Sequence, residues 1–163
     1  TAHKLGQLAP EDLASTIASM AALNRAAAQA AVEAGLHAAT DVTGFALLGH
    51  AHEMAERSSV GIRIRASAVP LLPGARAHAE RGIDFGGLQR NREHFLSDGR
   101  VRLEGLDLAT ENLLLDPQTS GGLLVGVPDA HAAEWERACA ARGLAPARIG
   151  EAFAGSGVTV VAA

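Results

Sequence analysis

Thr40-Asp-Val-Thr-Gly-Phe-Ala-Leu-Leu-Gly-His50-Ala-His-Glu-Met-Ala-Glu-Arg57 is the stretch from which the fold is read. At 100° per residue, Leu47, Leu48, Ala51, Met54 and Ala55 fall on one apolar face. Glu53, Glu56 and Arg57 fall on the other. The pattern predicts an amphipathic helix from about Thr43 to Arg57, with Asp41 or Thr43 at its N-terminus. Just upstream, His37-Ala-Ala-Thr40 reads as a short connector or strand.

Toward the N-terminus, Pro10-Glu11-Asp12 has the proline and acids of a helix start, and Leu13, Ile17 and Met20 recur at helical spacing. Asn24 to Ala34 is mostly alanine and stops at Gly35, a C′ glycine. Asn24 either caps this helix or lies inside a longer one. The alanine face suits close packing on a neighbour. Toward the C-terminus, Ile62-Arg-Ile-Arg65 alternates like a half-buried strand. Ala75 to Arg81 reads as a short helix stopped at Gly82, Gly86-Gly87 opens a loop through Arg90, Asn91 and Arg92, and Val101-Arg-Leu-Glu104 reads as a strand. Leu113-Leu-Leu115 leads through Asp116-Pro-Gln-Thr-Ser-Gly-Gly122 into a buried strand at Leu123 to Val127. Asp129 to Arg142 reads as a helix with Asp129 as N-cap and Gly143 as C′ residue. Ile149 to Phe153 and Val158 to Val161 suggest a terminal hairpin. Helices and strands mix without a βαβαβ rhythm, so the fold class is α+β, a mixed sheet packed with helices.

The 163 residues fit one domain, 1–163, with no internal repeat. Apolar residues make up 48% and aromatics 3%, so the core is built from Leu, Val, Ile and Ala. The net charge of −4, with no basic tract, argues against nucleic acid. An anionic ligand then needs a local site or a metal. No apolar run is long enough to span a membrane, and Thr1-Ala2-His3-Lys4 lacks signal-peptide character, so a cytoplasmic location is expected. The single cysteine, Cys139, excludes a disulfide framework. Lys4 is the only lysine, and no GxxxxGK(S/T) phosphate loop exists.

Four segments have chemical potential. Asp41 precedes a helix, where a carboxylate serves as N-cap or as a Mg2+ ligand, and both readings stand open on spacing alone. Asp116 to Gly122 is either a turn or a backbone N–H cradle for phosphate, formed by Thr119 to Gly122. His50, His52 and Glu53 look like a metal cluster, yet residues two apart on a helix lie about 200° apart, so the two histidines cannot converge on one ion. Arg90 and Arg92 are either solvated charges or an anion clamp. Cys139 is a small buried side chain among alanines.

Together these residues resemble a known family. Thr40 to His50 is similar to the TDVTGFGLLGH segment of selenophosphate synthetases (selenide, water dikinases), and Asp116 to Leu124 resembles their DPQTSGGLL. Val69-Pro-Leu-Leu-Pro-Gly74 is similar to their Ile-Pro-Leu-Leu-Pro-Gly, and Gly86 to Asn91 matches GGxxRN. Lys4-Leu-Gly6 is similar to the KPLG stretch that closes the family's N-terminal domain. Relatives in the superfamily (aminoimidazole ribotide synthetase, thiamine-monophosphate kinase and the hydrogenase-maturation dehydratase) carry other residues after the aspartate. One departure is Ala46, where the family usually has glycine. Inside a helix that methyl adds up to about 1 kcal/mol of helix propensity.

The resemblance implies the α/β/α-layered fold of the aminoimidazole ribotide synthetase C-terminal domain. It also implies a two-domain, homodimeric, Mg2+-dependent enzyme that makes selenophosphate from selenide, water and ATP, releasing AMP and phosphate. In that family the reactive Cys or selenocysteine, its lysine and most metal-binding aspartates belong to the N-terminal domain. Carried over residue by residue, only Asp41 matches a Mg2+ ligand. No catalytic residue is assigned, and cofactor contacts stay open. The chain alone is then expected to be folded and inactive. Two other readings are a packing or dimer-support module and a related ATP-dependent enzyme with another substrate.

Overall fold

The computed structural model describes residues 2–83 and 86–163. Helix α1 (Pro10–Ala21) begins with Pro10 and the acids Glu11 and Asp12 in its first turn. Helix α2 (Arg25–Glu33) ends at Gly35, whose φ of +67° a side chain would resist. Strand β1 (Ala38–Asp41) follows and pairs antiparallel with β4 (Leu123–Gly126), Asp41 standing opposite Leu123. Helix α3 (Ala46–Ser58) starts later than its apolar periodicity suggests. The reason is that Val42 continues the β1–β4 pairing, donating to Gly122 O at 2.9 Å and accepting from Gly121 N at 2.9 Å. Asp41 therefore closes a strand and does not cap a helix.

The second sheet runs β3 (Val101–Glu104), β6 (Val158–Val161), β2 (Gly61–Arg65), β5 (Gly150–Phe153). β5 is antiparallel to β2, whereas β6 is parallel to both β2 and β3. The expected terminal hairpin does not form, because β5 and β6 flank β2 on opposite sides. Burial decides this: Val158 and Val160 are almost fully enclosed, which suits the interior of a sheet better than an edge. Among the described residues the strands thus form the expected mixed sheet, of four strands, and a second, two-stranded sheet beside it.

Among the described residues, four further helices follow: α4 (Ala75–Glu80), α5 (Gly86–Leu96), α6 (Leu108–Leu114) and α7 (Ala132–Ala140). The segment from Gly86 through Arg92, expected as a loop, is the body of α5. Its Leu88, Asn91 and Phe95 lie on one buried face at helical spacing. Helix α6 had no counterpart in the sequence reading; Asp107 caps it, accepting from Thr110 N at 2.8 Å. Asp129 opens a single 3-10 turn, and His131 takes the N-cap position of α7.

The main core joins Leu48, Ala51 and Ala55 of α3 to Ile64, Val101, Val158 and Val160 of the larger sheet, with Leu88, Phe95, Leu114 and Leu115 closing it. The smaller sheet touches this core through Leu124 and packs its other contacts against α2 and α7. Ala31, Ala34 and Leu36 meet Val125, Val127 and Trp135, while Ala30 meets Ala138 and Cys139. Alanines on facing sides let α2 and α7 approach closely. Arg142 reinforces the contact, reaching Glu33 at 2.6 Å and Ala138 O at 2.8 Å.

Ala46 is fully buried with φ +60°, so it does not have the ordinary helical conformation that favours alanine. Left-handed backbone costs a non-glycine residue about 1–2 kcal/mol. Replacing Ala46 by Gly relieves that strain but loses a buried methyl (about 0.8 kcal/mol) and adds unfolded-state entropy (about 0.4–1 kcal/mol). Urea unfolding is expected to find Ala46→Gly neutral to within about 0.5 kcal/mol, while Ala51→Gly, mid-helix and equally buried, costs about 2 kcal/mol. Equal losses at both positions would contradict the strain. A second expectation concerns acid. The Thr110 backbone N–H, then the Arg76 guanidinium, lower the Asp107 pKa from 3.8 to about 2. A depressed folded pKa stabilises above the unfolded value and is lost as pH falls through the folded one. Unfolding midpoints of wild type and Asp107→Asn should therefore converge as pH falls from about 3.8 to about 2.

Candidate functional site

Three segments far apart in sequence meet at the end of β1: the turn Val42 to Phe45, the loop Asp116 to Gly122, and the middle of α5. Gln118 N donates to Thr43 O at 3.0 Å, and Gly121 N donates to Val42 O at 2.9 Å. Asn91, only 6% exposed, donates through Nδ2 to Gly44 O at 3.0 Å and to Leu115 O at 3.1 Å. One amide thus supplies both its protons to carbonyls of two different loops. Asn24, at the start of α2, donates to Gly121 O at 3.2 Å and holds the second loop from the other side. Its side chain makes no cap to its own helix.

Glycine at 121 is required by this approach. A Cβ there would lie 2.5 Å from Val42 O and 3.1 Å from Val42 Cβ. Gly49 is needed likewise, since a Cβ would meet the Phe95 ring at 2.5 Å and Phe45 Cβ at 2.7 Å. Gly44 has open space around it. The turn is also held from α3, where His50 Nε2 lies 3.1 Å from Thr43 Oγ1.

Within this frame the Asp41 side chain is exposed and has no hydrogen-bond or ion-pair partner among the described residues. The backbone around it is fixed and its carboxylate is uncommitted. A single free carboxylate suits a hard cation such as Mg2+, which takes one or two carboxylates plus phosphate and water oxygens. Among the described residues, no group of three or more His, Cys, Asp or Glu is placed to hold a metal ion. Asp41 is thus a single candidate ligand and not a complete site. The second acid of the frame, Asp116, is half-buried; burial pushes its carboxyl up, against the pull of the Gln118 hydrogen bond at 2.6 Å. Gly121 N is bonded to Val42 O, so a phosphate cradle across all of Thr119 to Gly122 is not formed.

Other candidates stay apart. His37 and Asp41 bracket β1, about 13 Å apart along an extended strand. His52 packs edge-on to Phe95 at 6.3 Å between centroids, while His50 faces Thr43. Arg92 is held by Glu111 and Asn112, each at 2.8 Å, so its charge is paired within the fold and not with the exposed Arg90 in an anion clamp. Cys139 is buried in α7, which pushes its thiol pKa up and away from nucleophilic use. Sequence reasoning missed Asn91 and Asn24. Asn91 left a signal, being the polar residue three after Leu88 and four before Phe95 on an otherwise apolar helix face.

Removing the Asn91 amide orphans two carbonyls, one of them buried. Asn91→Ala is expected to lose about 2–4 kcal/mol in urea unfolding. Asn91→Asp should do no better, since carboxylate oxygens would face carbonyl oxygens. A loss below about 0.5 kcal/mol would show that the amide does not tie the loops together.

The family model described as AIR synthase related protein, C-terminal domain, matches residues 4–163. The selenide, water dikinase of Bordetella bronchiseptica is 42% identical over 154 residues, which is 94% of this chain and 44% of that protein. The selenide, water dikinase of Pseudomonas aeruginosa is 44% identical over 151 residues, 93% of this chain and 43% of that one. The chain thus spans less than half the length of the curated relatives it matches. A thiamine-monophosphate kinase from Stenotrophomonas maltophilia aligns over 77% of this chain and 31% of its own, at 22% identity and a TM-score of 0.49. Among the described residues, no helix is long and apolar enough to cross a membrane. The resemblance carried by the Thr40–His50 and Asp116–Leu124 segments holds along most of the sequence, and the chain belongs to the family of AIR synthase related protein C-terminal domains.

Proposed function

We propose that this chain is the C-terminal domain of a selenide, water dikinase, and that it offers Asp41 to the Mg2+-ATP site of the whole enzyme. The observation that carries the reading is a free, exposed carboxylate on backbone held at Val42, Thr43 and Gly44 by three separate elements. Such a frame is costly to build for a mere surface acid and is what ligand geometry demands. The reaction is phosphoryl transfer from ATP with selenide and water as acceptors, giving selenophosphate, AMP and phosphate. Bound Mg2+ would neutralise charge on the phosphates in such a transfer. Within this chain Asp41 binds, and Asn91, Asn24 and Thr43 hold it in place. The Cys or selenocysteine and the remaining ligands belong to an N-terminal domain.

A packing role accompanies this one. Helix α1 has no buried residue, and Ile17 (52% exposed) and Met20 (39%) form an apolar stripe continued by Leu23 (75%). That surface suits contact with the enzyme's own N-terminal domain or with a second copy in a cytoplasmic homodimer.

Asp41→Asn in the intact enzyme decides between ligand and packing module. Loss of a carboxylate ligand is expected to weaken Mg2+ activation of selenophosphate formation at least as much as loss of an outer-shell partner, about 10–100-fold. Wild-type Mg2+ response in that variant would overturn the ligand role. The 163-residue chain alone is expected to form no selenophosphate from ATP and selenide, and turnover by it would overturn the division of the site.

A further inference from the structure

His50 is 8% exposed, in the first turns of α3, and three groups surround its ring. Nε2 lies 3.1 Å from Thr43 Oγ1. Nδ1 lies 3.2 Å from Glu53 Oε2, one turn along the same helix. The Phe45 ring covers a face, 5.6 Å away between centroids and tilted by 38°. The Glu53 approach is off-line for a formed hydrogen bond, so it acts through charge more than through direction. A carboxylate accepts and never donates. That carboxylate favours the imidazole tautomer with its proton on Nδ1, which turns a lone pair on Nε2 toward Thr43. In that tautomer the Thr43 hydroxyl is the donor. With its one hydrogen directed at His50, its oxygen is left with lone pairs only.

We propose that Glu53 and His50 set the direction of the Thr43 hydroxyl, making Thr43 an acceptor beside Asp41 for water on a hydrated divalent cation. The proposal rests on the reading of Asp41 as a cation ligand and adds an outer-shell contact to it. Thr43 stands two residues from Asp41, just past the end of β1, with the buried Val42 between them, so their Cα atoms lie within about 7 Å. That spacing fits one inner ligand and one contact to the ion's water. His50 is a positioning residue here: it touches Thr43 and not the ion. Metal sites use such outer partners to orient ligands, and the same logic explains why a histidine is buried at this point of an otherwise apolar helix face.

The tautomer is read directly by long-range 1H–15N spectra of the 163-residue chain at about pH 8, where an ordinary histidine is neutral. His50 is expected as the Nδ1–H form, and the Nδ1–H fraction should fall in Glu53→Ala. An Nε2–H ring in the wild type overturns the proposal. In the intact enzyme, calorimetric Mg2+ titration with a non-hydrolysable ATP analogue gives a second readout. Thr43→Val should weaken Mg2+ binding by about 10-fold, and Thr43→Ser should restore it. Equal binding by wild type, Val and Ser variants overturns the proposal. Unchanged Mg2+ affinity in Asp41→Asn overturns the underlying ligand reading instead, and the tautomer result tells the two failures apart.

Discussion

The Asn91 side-chain amide is the constraint on which the candidate site depends. Its two protons bind Gly44 O and Leu115 O, carbonyls of loops that share no strand with helix α5. A buried carbonyl without a donor costs about 1–3 kcal/mol, so each loop is held where the amide can reach it. With those positions fixed, Gly121 can approach Val42 and the ladder of β1 and β4 extends past Asp41. The free carboxylate owes its place to an amide on another element.

Support from elsewhere follows the same pattern. Asn24 bonds Gly121 O from α2, and His50 meets Thr43 from α3. Alanine at 30, 31 and 34 lets α2 sit close enough to the small sheet and α7 for Asn24 to reach. Packing of small side chains and hydrogen bonding of the loops are therefore one arrangement.

Much of this was legible in the sequence, and the exceptions have physical reasons. The apolar stripe of α3, the alternation of Gly61–Arg65 and the glycine stop at Gly35 all appear as read. Helix α5 was hidden by two leading glycines and a polar surface; its buried Leu88 and Phe95 are too few to announce a stripe. The terminal hairpin was a local inference from two nearby strands. It lost to burial, since β6 gains two partners by lying between β2 and β3. The start of α3 was misplaced because hydrophobic period says nothing about φ, and Ala46 is left-handed. Asp41 was singled out as a ligand by resemblance; spacing alone favoured a helix cap, and the cross-loop bonds separate it from the helix. Asn91 as a tie between loops depends on tertiary distance, which no local pattern encodes.

The position of β6 has a consequence for how the chain acquires its structure. Val158–Val161 follows the other strands of its sheet in order and joins β2 to β3. During vectorial synthesis, β2 and β3 emerge with their inner edges unmatched until the final strand arrives. Contacts so distant in sequence close slowly. The larger sheet is thus assembled only once β6 has been made, after β2, β3 and β5. Until then the nascent protein exposes open strand edges, the kind of surface that chaperones or premature association would find.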